Sequence, residues 1–417
     1  MAEAIKKKRI LIYSLVFGPD GVSTAYLYND LALGFQKKGH EVCVLTTTPH
    51  FNLINESLDK QPLKKRFLGL FYISDFNGIK VYHIPLKKYK GTLFRILSFV
   101  YWHKMSFLIG LFLKRPDVIL TPSPPLTSGF LAILLAKIKG AKTIYNVQEI
   151  YPDLLINLGH LKNTFLINIL KKLERWVYNG SDGVTTIDKQ FYNTIKPRIK
   201  NKSSLHIIPN FVDTDLYKME SSMKLPAEFV SESGNTNMLY AGNIGLAQEW
   251  DLVLELAREL KNQPMTIWII GEGVKKEYLK SQIEIRQLSN IKLLPYQNRK
   301  FMPAINLFAD FHFIAMDKSM ENEGFPSKVY TIMASGKPMV VVSSEQTPIT
   351  SFLKETETAL LVTDHSLSGF KNAVLKLISD KDLRNSLGAN GRKIIEQKHT
   401  KEQVINQYTD LVENICK

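Results

Sequence analysis

The chain has 417 residues, 45% of them hydrophobic, and carries a formal net charge of +15 at neutral pH. This length exceeds what one hydrophobic core usually fills, so we expect two domains of about 200 residues each. Only two cysteines occur, which excludes a disulfide framework and a cysteine-based zinc site, and the dispersed Gly and Pro residues exclude collagenous, mucin-like and disordered classes.

The first elements of the chain predict a βαβ unit. A short apolar run is followed by a turn containing Gly18 and Gly21, a stretch with apolar residues at helical spacing, and a second apolar run after Gly39. A strand, a crossover helix and a second strand indicate a parallel sheet covered by helices. Pro19 interrupts the first apolar run and no small-residue cleavage site follows, so we expect a buried strand here rather than a signal peptide.

Residues 60–115 are basic and aromatic, with 12 Lys/Arg, one acidic residue (Asp75) and 12 aromatic residues. This composition favours a surface that lies on anionic lipid. Within it, residues 97–113 are nearly long enough to span a bilayer, but His103 and Lys104 occupy the centre, where charge is costly. We expect this segment to lie on the membrane, with a buried core helix as the alternative.

A second βαβ unit follows in residues 117–147. Ser123 is expected to cap a helix that opens with Pro124 and Pro125 and ends before Gly140. Glu149 comes just after the next strand, at the carboxyl edge of the predicted sheet, where it could orient an acceptor hydroxyl or stabilise positive charge on a sugar. The alternative is a carboxylate that caps the following turn.

The irregular, Ser-rich stretch before residue 237 indicates a linker, after which the pattern starts again. A strand at residues 238–241 leads into the turn Gly242–Gly245 and a helix at 249–261. The sequence therefore predicts an α/β fold with two doubly wound parallel sheets facing each other across a cleft. The predicted limits are residues 1–205 for a domain that binds an acceptor, 206–395 for a domain that binds a donor, and 396–417 for a helix that returns to the first domain.

The stretch from Glu323 to Pro338 is the most informative. Pro326 suits the first position of a helix and Gly336 suits its end, so the amino end of this helix should be open to an anion. Lys328 in the first turn adds a full positive charge, which suits a diphosphate leaving group without a metal. Glu323 can accept hydrogen bonds from sugar hydroxyls.

These motifs resemble those of the retaining family-4 glycosyltransferases, and among them the bacterial O-antigen and capsule enzymes such as L-fucosamine (N-acetylfucosamine) transferases. The resemblance covers nearly the whole chain. The segments that carry it are 17–21, 39–42, 123–126, 148–153, 208–210, 240–245, 271–273 and 323–338.

The resemblance implies a GT-B fold, a nucleotide-diphosphate sugar in the second domain and an acceptor in the first, near Gly18 and Gly21. It assigns catalytic roles to Glu323, Glu149 and Lys328. The residues it assigns to donor binding are Gly242, Asn243, Gly245, Glu272, Pro326, Ser327 and Thr331.

Two positions depart from the family pattern. The second glutamate of the family, associated with the ribose, is replaced by Thr331, and the turn after Gly242 lacks the usual Arg and Lys. A larger share of the diphosphate charge would then fall to Lys328. Asp213 and Asp215 have the spacing of a cation chelate, but we interpret them as polar residues of the linker turn.

We therefore expect a retaining transferase without metal or cofactor, which moves a sugar from a nucleotide-diphosphate donor, such as UDP-linked N-acetylated hexosamine or deoxyhexosamine, to a polyprenyl-diphosphate-linked saccharide. It would act at the cytoplasmic face of the cell membrane, in cell-surface polysaccharide synthesis, and would bind no nucleic acid. The alternatives are a nucleotide-sugar 2-epimerase on the same fold, and a membrane-binding or nucleic-acid-binding protein that has lost catalysis.

Overall fold

A computed structural model describes residues 7–51, 53, 55–86, 91–219, 224–321 and 325–417. The chain forms two compact units: unit 1 is Met1–Asn210 with Glu402–Lys417, and unit 2 is Phe211–Lys401. The sequence prediction placed these limits at residues 205 and 395, a few residues earlier in each case. Both units are layered α/β structures, and the predicted fold class is confirmed.

Unit 1 is built on a sheet of nine strands in the order β3-β4-β5-β2-β1-β6-β7-β8-β9. All neighbours pair in parallel except β3 with β4 and β4 with β5. The element bounds are β1 (Arg9–Tyr13), α1 (Ser23–Lys37), β2 (Glu41–Thr47), α2 (Asn55–Lys60), β3 (Lys64–Arg66), β4 (Phe71–Phe76), β5 (Ile79–Ile84), α3 (Thr92–Phe112), β6 (Val118–Ser123), α4 (Leu126–Lys139), β7 (Lys142–Val147), α5 (Asp153–Asn157), α6 (Thr164–Gly180), β8 (Gly183–Thr186), α7 (Lys189–Ile195) and β9 (Leu205–Ile207).

Unit 2 contains a fully parallel sheet of six strands in the order β12-β11-β10-β13-β14-β15. The order reverses between β10 and β13, and such a switch point opens a crevice at the carboxyl ends of the strands. The bounds are β10 (Thr236–Ala241), α8 (Trp250–Glu259), β11 (Met265–Ile270), α9 (Lys276–Ile285), β12 (Ile291–Leu294), α10 (Met302–Phe308), β13 (Phe311–Ala315), α11 (Lys328–Ala334), β14 (Met339–Val342), α12 (Pro348–Thr356), β15 (Ala359–Val362), α13 (Leu367–Ser379) and α14 (Lys381–Lys398).

Helices cover both faces of the unit 2 sheet. Every residue of β11 is buried, as expected for a strand with helices on both sides. One core cluster packs α8 and α13 against the sheet, and a second packs α11 and α12 against the other face. The continuous apolar runs of the sequence follow from this two-sided burial.

The last helix, α15 (Lys401–Ile415), packs on unit 1. The hydroxyl groups of Tyr408 and Thr185 lie 3.3 Å apart. Gly34 of α1 meets Ile405 so closely that a Cβ at Gly34 would lie 2.4 Å from an Ile405 methyl carbon. The absence of a side chain at Gly34 therefore lets α1 and α15 approach each other.

Helix α3 is neither fully buried nor fully exposed. Trp102 is buried and stacks on Tyr13 with ring centroids 5.6 Å apart, while the opposite side presents apolar residues to solvent. His103 Nδ1 donates to Phe99 O at 2.8 Å, and its Nε2 lies 2.7 Å from Thr127 Oγ1. Across the described ranges, no helix has the length and hydropathy needed to cross a bilayer.

Two local predictions were wrong. Ser123 does not cap α4, because it ends β6 and its hydroxyl donates to Glu149 O at 2.7 Å. The helix expected to open at Pro326 begins at Lys328 and has only 7 residues. In each case the sequence correctly indicated a turn. The first residue of α11 and the partner of the Ser123 hydroxyl depend on tertiary contacts that the local sequence does not show.

The Gly34 contact predicts a coupling between α1 and α15. Gly34→Ala alone should destabilise unit 1 by about 1 kcal/mol, since overpacking costs about 1–3 kcal/mol and the better helix propensity of Ala returns about 1 kcal/mol. In an Ile405→Ala background the clash is gone, and Gly34→Ala should be neutral or stabilising. Urea unfolding measures the change in the free energy of unfolding, and hydrogen exchange in peptides of α1 and α15 shows whether these helices are affected. Equal effects of Gly34→Ala in both backgrounds would contradict the coupling.

Candidate active site in unit 2

Two loops meet at the carboxyl edge of the unit 2 sheet, on the β10 side of the switch point. The loop after β10 contains Gly242–Gly245, and the loop after β11 contains Gly271–Gly273. Their backbones are joined directly: Gly242 N–H donates to Ile270 O at 2.9 Å, and Ile244 N–H donates to Glu272 O at 2.8 Å. The two loops therefore form one continuous backbone surface.

Glycine is required where these loops touch. A Cβ at Gly271 would lie 1.8 Å from Gly242 O, and a Cβ at Gly273 would lie 2.2 Å from Ile244 O. Both residues also have positive φ angles, 150° and 158°. No side chain fits these positions, so the contact depends on glycine for both space and backbone conformation.

Side chains of β10 and α8 hold two carbonyl groups of the loop after β10. Tyr240 Oη donates to Asn243 O at 2.7 Å, and Trp250 Nε1 donates to Gly245 O at 2.9 Å. The N–H groups of Asn243 and Gly245 have no hydrogen-bond partner within the described part of the chain. Amides left free in this way at a glycine loop are suited to bind an anion.

Lys328 places a positive charge against this loop. Its Nζ lies 3.4 Å from the centroid of the Tyr240 ring, and a Cβ at Gly242 would come within 2.7 Å of Nζ. Lys328 as a whole residue is half-buried, and its ammonium end lies against the Tyr240 ring and Gly242. No carboxylate pairs with Lys328 among the residues that the structure describes.

Burial lowers the pKa of the Lys328 ammonium to about 7. The Tyr240 ring face stabilises the cation in part, but it carries no net negative charge. An ammonium in this position gains most from an anionic ligand that enters beside Gly242. The geometry therefore favours a site for a negatively charged group.

The other residues that are expected to bind the donor differ in their contacts. Thr331 Oγ1 donates to Lys328 O at 2.9 Å, so the hydroxyl proton is used within α11. Glu272 accepts from Lys276 Nζ at 2.5 Å, and this hydrogen bond lowers the pKa of Glu272. Pro326 and Ser327 lie directly before α11, and Glu323 lies outside the described residues.

In unit 1, the loop with Gly18 and Gly21 is held by side-chain and backbone contacts. Gly18 N–H donates to Asn29 Oδ1 at 2.8 Å, and Gly18 O accepts from Gln61 Nε2 at 3.1 Å. Gly21 N–H donates to Phe51 O at 2.9 Å. This loop follows β1, the strand next to the switch point of the unit 1 sheet.

Glu149 lies in the loop after β7. Ser123 Oγ donates to the Glu149 carbonyl and accepts from the Gln148 N–H at 3.2 Å, which fixes the backbone. Burial and the neighbouring Glu149 carboxylate raise the pKa of Tyr151 to about 12. Glu149 is thus beside a tyrosine hydroxyl, at the carboxyl edge of the unit 1 sheet.

Asp213 forms the turn that the sequence indicated. Its Oδ1 accepts from the N–H groups of Asp215 and Leu216, both at 3.0 Å, and its Oδ2 pairs with Lys401. Among the described residues, no group of three or more His, Cys, Asp or Glu side chains is arranged to hold a metal ion.

Sequence reasoning missed the role of Tyr240 and the contact made by Gly271 and Gly273. Tyr240 is part of the motif Tyr240–Gly245, in which the sequence assigns donor binding to Gly242, Asn243 and Gly245 but gives Tyr240 no role. An aromatic residue directly before a glycine turn at a strand end was the available signal. Its use as a platform for Lys328, 88 positions later in the numbering, depends on the strand order.

Both parts of the chain match models of known protein families. Residues 25–216 match the family model described as Glycosyltransferase Family 4, and residues 223–394 match the model described as Glycosyl transferases group 1. The chain is 24% identical to the Escherichia coli K12 protein named as a colanic acid biosynthesis glycosyl transferase, WcaI, over 82% of this chain and 84% of that protein.

Solved structures share the fold. Sucrose-phosphate synthase from Thermosynechococcus elongatus superposes with a TM-score of 0.73 at 13% identity, covering 98% of this chain and 99% of that one. Anabaena HepE in complex with UDP-glucose gives 0.70 at 13% identity, covering 98% and 100%. The chain is therefore a glycosyltransferase of the GT-B fold, with the family-4 domain in its first part and the group 1 domain in its second.

Proposed function

We propose that the chain transfers a sugar from a UDP-linked donor, an N-acetylated hexosamine or deoxyhexosamine, to a lipid-linked saccharide with retention of anomeric configuration. The observation that carries the donor site is Lys328, an enclosed ammonium beside the free amides of a glycine loop. The solved structure of HepE with UDP-glucose supports a uridine donor by analogy of fold. The name of the Escherichia coli relative supports a role in assembling a cell-surface polysaccharide.

In the proposed reaction the bond between the anomeric carbon and the diphosphate oxygen breaks, and the electron pair leaves with the nucleoside diphosphate. Lys328 and the Asn243 and Gly245 amides neutralise the charge that builds on this leaving group. An acceptor hydroxyl attacks the same face of the sugar, and its proton passes to a leaving phosphate oxygen. We assign charge neutralisation to these groups rather than to a metal.

The remaining residues have supporting roles in this proposal. Glu323 would hold sugar hydroxyls, and Glu149 would orient the acceptor or stabilise the positive charge on the sugar ring. Glu272, Pro326 and Ser327 would border the donor. Thr331 can still accept a hydrogen bond from a ribose hydroxyl, although its own proton is used by Lys328 O.

The acceptor is proposed to be membrane-bound because unit 1 exposes a basic and apolar surface. Helix α4 packs against both α3 and α6. Helices α3 and α4 contain no acidic residue, and Glu174 of α6 is buried and paired with Arg198 at 2.6 Å. Exposed large apolar residues of α3 and α6 include Leu93, Phe94, Ile96, Leu97, Phe112, Phe165, Leu166 and Ile169.

Basic side chains lie on the same helices, so the surface combines apolar area with positive charge. Such a surface suits an anionic bilayer, with apolar side chains at headgroup depth and Lys and Arg near the phosphates. We therefore propose that the enzyme works peripherally at the inner face of the cell membrane. The cations of the three helices are Arg95, Lys104, Lys137, Lys139, Lys171, Lys172 and Arg175.

Assay with a panel of nucleotide sugars and a polyprenyl-diphosphate saccharide tests the activity. We expect one UDP-sugar to give a longer glycolipid and free UDP. Lys328→Ala should weaken donor binding by about 10- to 100-fold, as expected for a hydrogen bond to a charged group. Lys337→Ala, which removes another partly buried lysine of unit 2, is the matched control and should bind normally.

The alternatives give different products in the same assay. An epimerase would convert a UDP-sugar to its epimer with no lipid acceptor present, and a binding module would consume no donor. Either result, or equal donor binding by the Lys328→Ala variant, would contradict the proposal.

The lowered pKa of Lys328 predicts pH-dependent donor binding. The free enzyme loses the ammonium proton as the pH rises through about 7, whereas a bound diphosphate favours the charged form and raises this pKa in the complex. Between the two values, binding takes up a proton, so the Kd for the UDP-sugar should rise by up to about tenfold per pH unit. The diphosphate of a UDP-sugar does not itself titrate in this range.

Calorimetry from about pH 6 to about pH 8.5, in two buffers of different ionisation enthalpy, measures both the Kd and the proton uptake. Lys328→Arg keeps its charge throughout and should give a flat profile. A flat wild-type profile without proton uptake would show that Lys328 does not meet the diphosphate.

Vesicle sedimentation tests the membrane surface. The protein should bind phosphatidylglycerol vesicles more strongly than phosphatidylcholine vesicles, and salt should weaken binding. Phe94→Ser with Leu97→Ser should reduce binding at least about tenfold, because each large apolar side chain contributes about 1.5–3 kcal/mol when buried. Val274→Ser with Ile285→Ser, at exposed apolar positions of unit 2, is the control and should change nothing.

A further inference from the structure

One buried imidazole joins loops from four places at the carboxyl edge of the unit 2 sheet. His365 follows β15, and its Nδ1 lies 2.9 Å from Glu249 Oε2 while its Nε2 lies 3.0 Å from Glu321 Oε2. Glu249 precedes α8, Glu321 follows β13, and Ser344, which follows β14, places its Oγ 3.3 Å from Nε2. No role in catalysis has been assigned to any of these residues.

The cluster is largely shielded from solvent, and its side chains make defined hydrogen bonds. The side chains of His365 and Glu321 are 2% and 6% exposed, and that of Glu249 is 31% exposed. Glu321 Oε2 also accepts from the Ser344 N–H at 2.8 Å. Carboxylate oxygens only accept hydrogen bonds, so the ring can donate to both glutamates only when both nitrogens carry a proton, and it then bridges two anions as one cation.

The backbone of His365 is unusual as well. Its φ angle is 56°, in the left-handed region that residues other than glycine seldom adopt. Such a conformation persists where the surrounding contacts determine it, and here the two ring contacts do so. Conformations of this kind concentrate at functional sites.

The bridge also holds the chain that leaves the glycine loop. Glu249 follows Gly242–Gly245 and directly precedes α8, and its N–H donates to Ala315 O, at the end of β13, at 2.9 Å. Asp317 N–H donates to Ala247 O at 3.1 Å, so the chain after β10 and the chain after β13 lie side by side. Loss of the bridge would allow the glycine loop to shift.

We propose that His365 is a positioning residue for the donor site: by bridging Glu321 and Glu249 it holds the end of the glycine loop, and so keeps the open amides of that loop beside Lys328. This inference rests on the proposed donor site. It assigns His365 no contact with the substrate. The bridge acts on donor binding rather than on the chemical step.

His365→Gln tests the proposal, because a glutamine amide donates from one end only and cannot satisfy two carboxylates. We expect the Kd and KM for the UDP-sugar to rise about tenfold, with kcat at saturating donor changed less than about twofold, since the site still forms once donor is bound. His160→Gln, an exposed histidine of unit 1, is the matched control and should leave both unchanged.

A rescue separates positioning from general packing. In the His365→Gln background, Glu321→Gln supplies an amide that can donate to the new carbonyl, so the double variant should recover most of the donor affinity. If His365→Gln does not fold, Glu249→Gln weakens the same bridge at its more exposed end and should show the same rise in KM.

The outcomes are distinguishable. A wild-type protein that binds no nucleotide sugar would defeat the proposed function itself. A wild-type protein that binds, with variants that lose thermal stability but keep the donor Kd within about twofold, would show that the bridge only holds the fold and would overturn this inference. A rise in KM that Glu321→Gln reverses supports it.

Discussion

The candidate site depends on one contact between backbones. Because Gly271 and Gly273 have no side chains, the loop after β11 lies directly against the carbonyl groups of the loop after β10. Tyr240 and Trp250 donate hydrogen bonds to two further carbonyl groups of the loop after β10. Alternate amides of this loop are left open. The Lys328 ammonium occupies the space beside Gly242 that a side chain there would fill.

Strand order explains why these parts meet. Residues far apart in the sequence, Tyr240 at the end of β10 and Lys328 in α11, become neighbours because the chain reverses direction across the sheet between β10 and β13. Both units use this arrangement of a parallel sheet with a switch point. In unit 2 the switch point brings the charge of Lys328 beside the loop after β10. In unit 1 the loop with Gly18 and Gly21 follows β1, which lies at the equivalent place in its sheet.

Much of the fold could be predicted from the sequence, because its signals are local and periodic. The glycine turn between an apolar strand and an amphipathic helix, repeated from residue 9 and again from residue 238, indicates two parallel sheets. Both are present, and in unit 1 only β4 pairs antiparallel with its neighbours among the described strands. Features that depend on a distant partner were not accessible. The Ser123 hydroxyl binds the Glu149 carbonyl rather than the start of α4, and the helix expected at Pro326 begins two residues later.

The same limit applies to the site. A lysine in the first turn of a helix was a correct signal for positive charge, but the ring beneath it and the burial that lowers its pKa to about 7 depend on tertiary structure. His365 gave no signal at all, because its two glutamate partners lie 116 and 44 residues away in the sequence. A lone histidine after a strand is ordinarily interpreted as structural.

Lys328 and His365 of unit 2 differ in the charged groups that surround them, and this difference indicates where an anion would bind. The imidazole of His365 faces two carboxylates, so an added phosphate there would meet net negative charge. Lys328 faces an aromatic ring and open amides, and within the described ranges no carboxylate compensates it. The Coulomb interaction of an enclosed ammonium with an entering anion is strong because little water screens it. A diphosphate would therefore be drawn to Lys328 and not to His365, which leaves the histidine free to hold the surrounding loops in place.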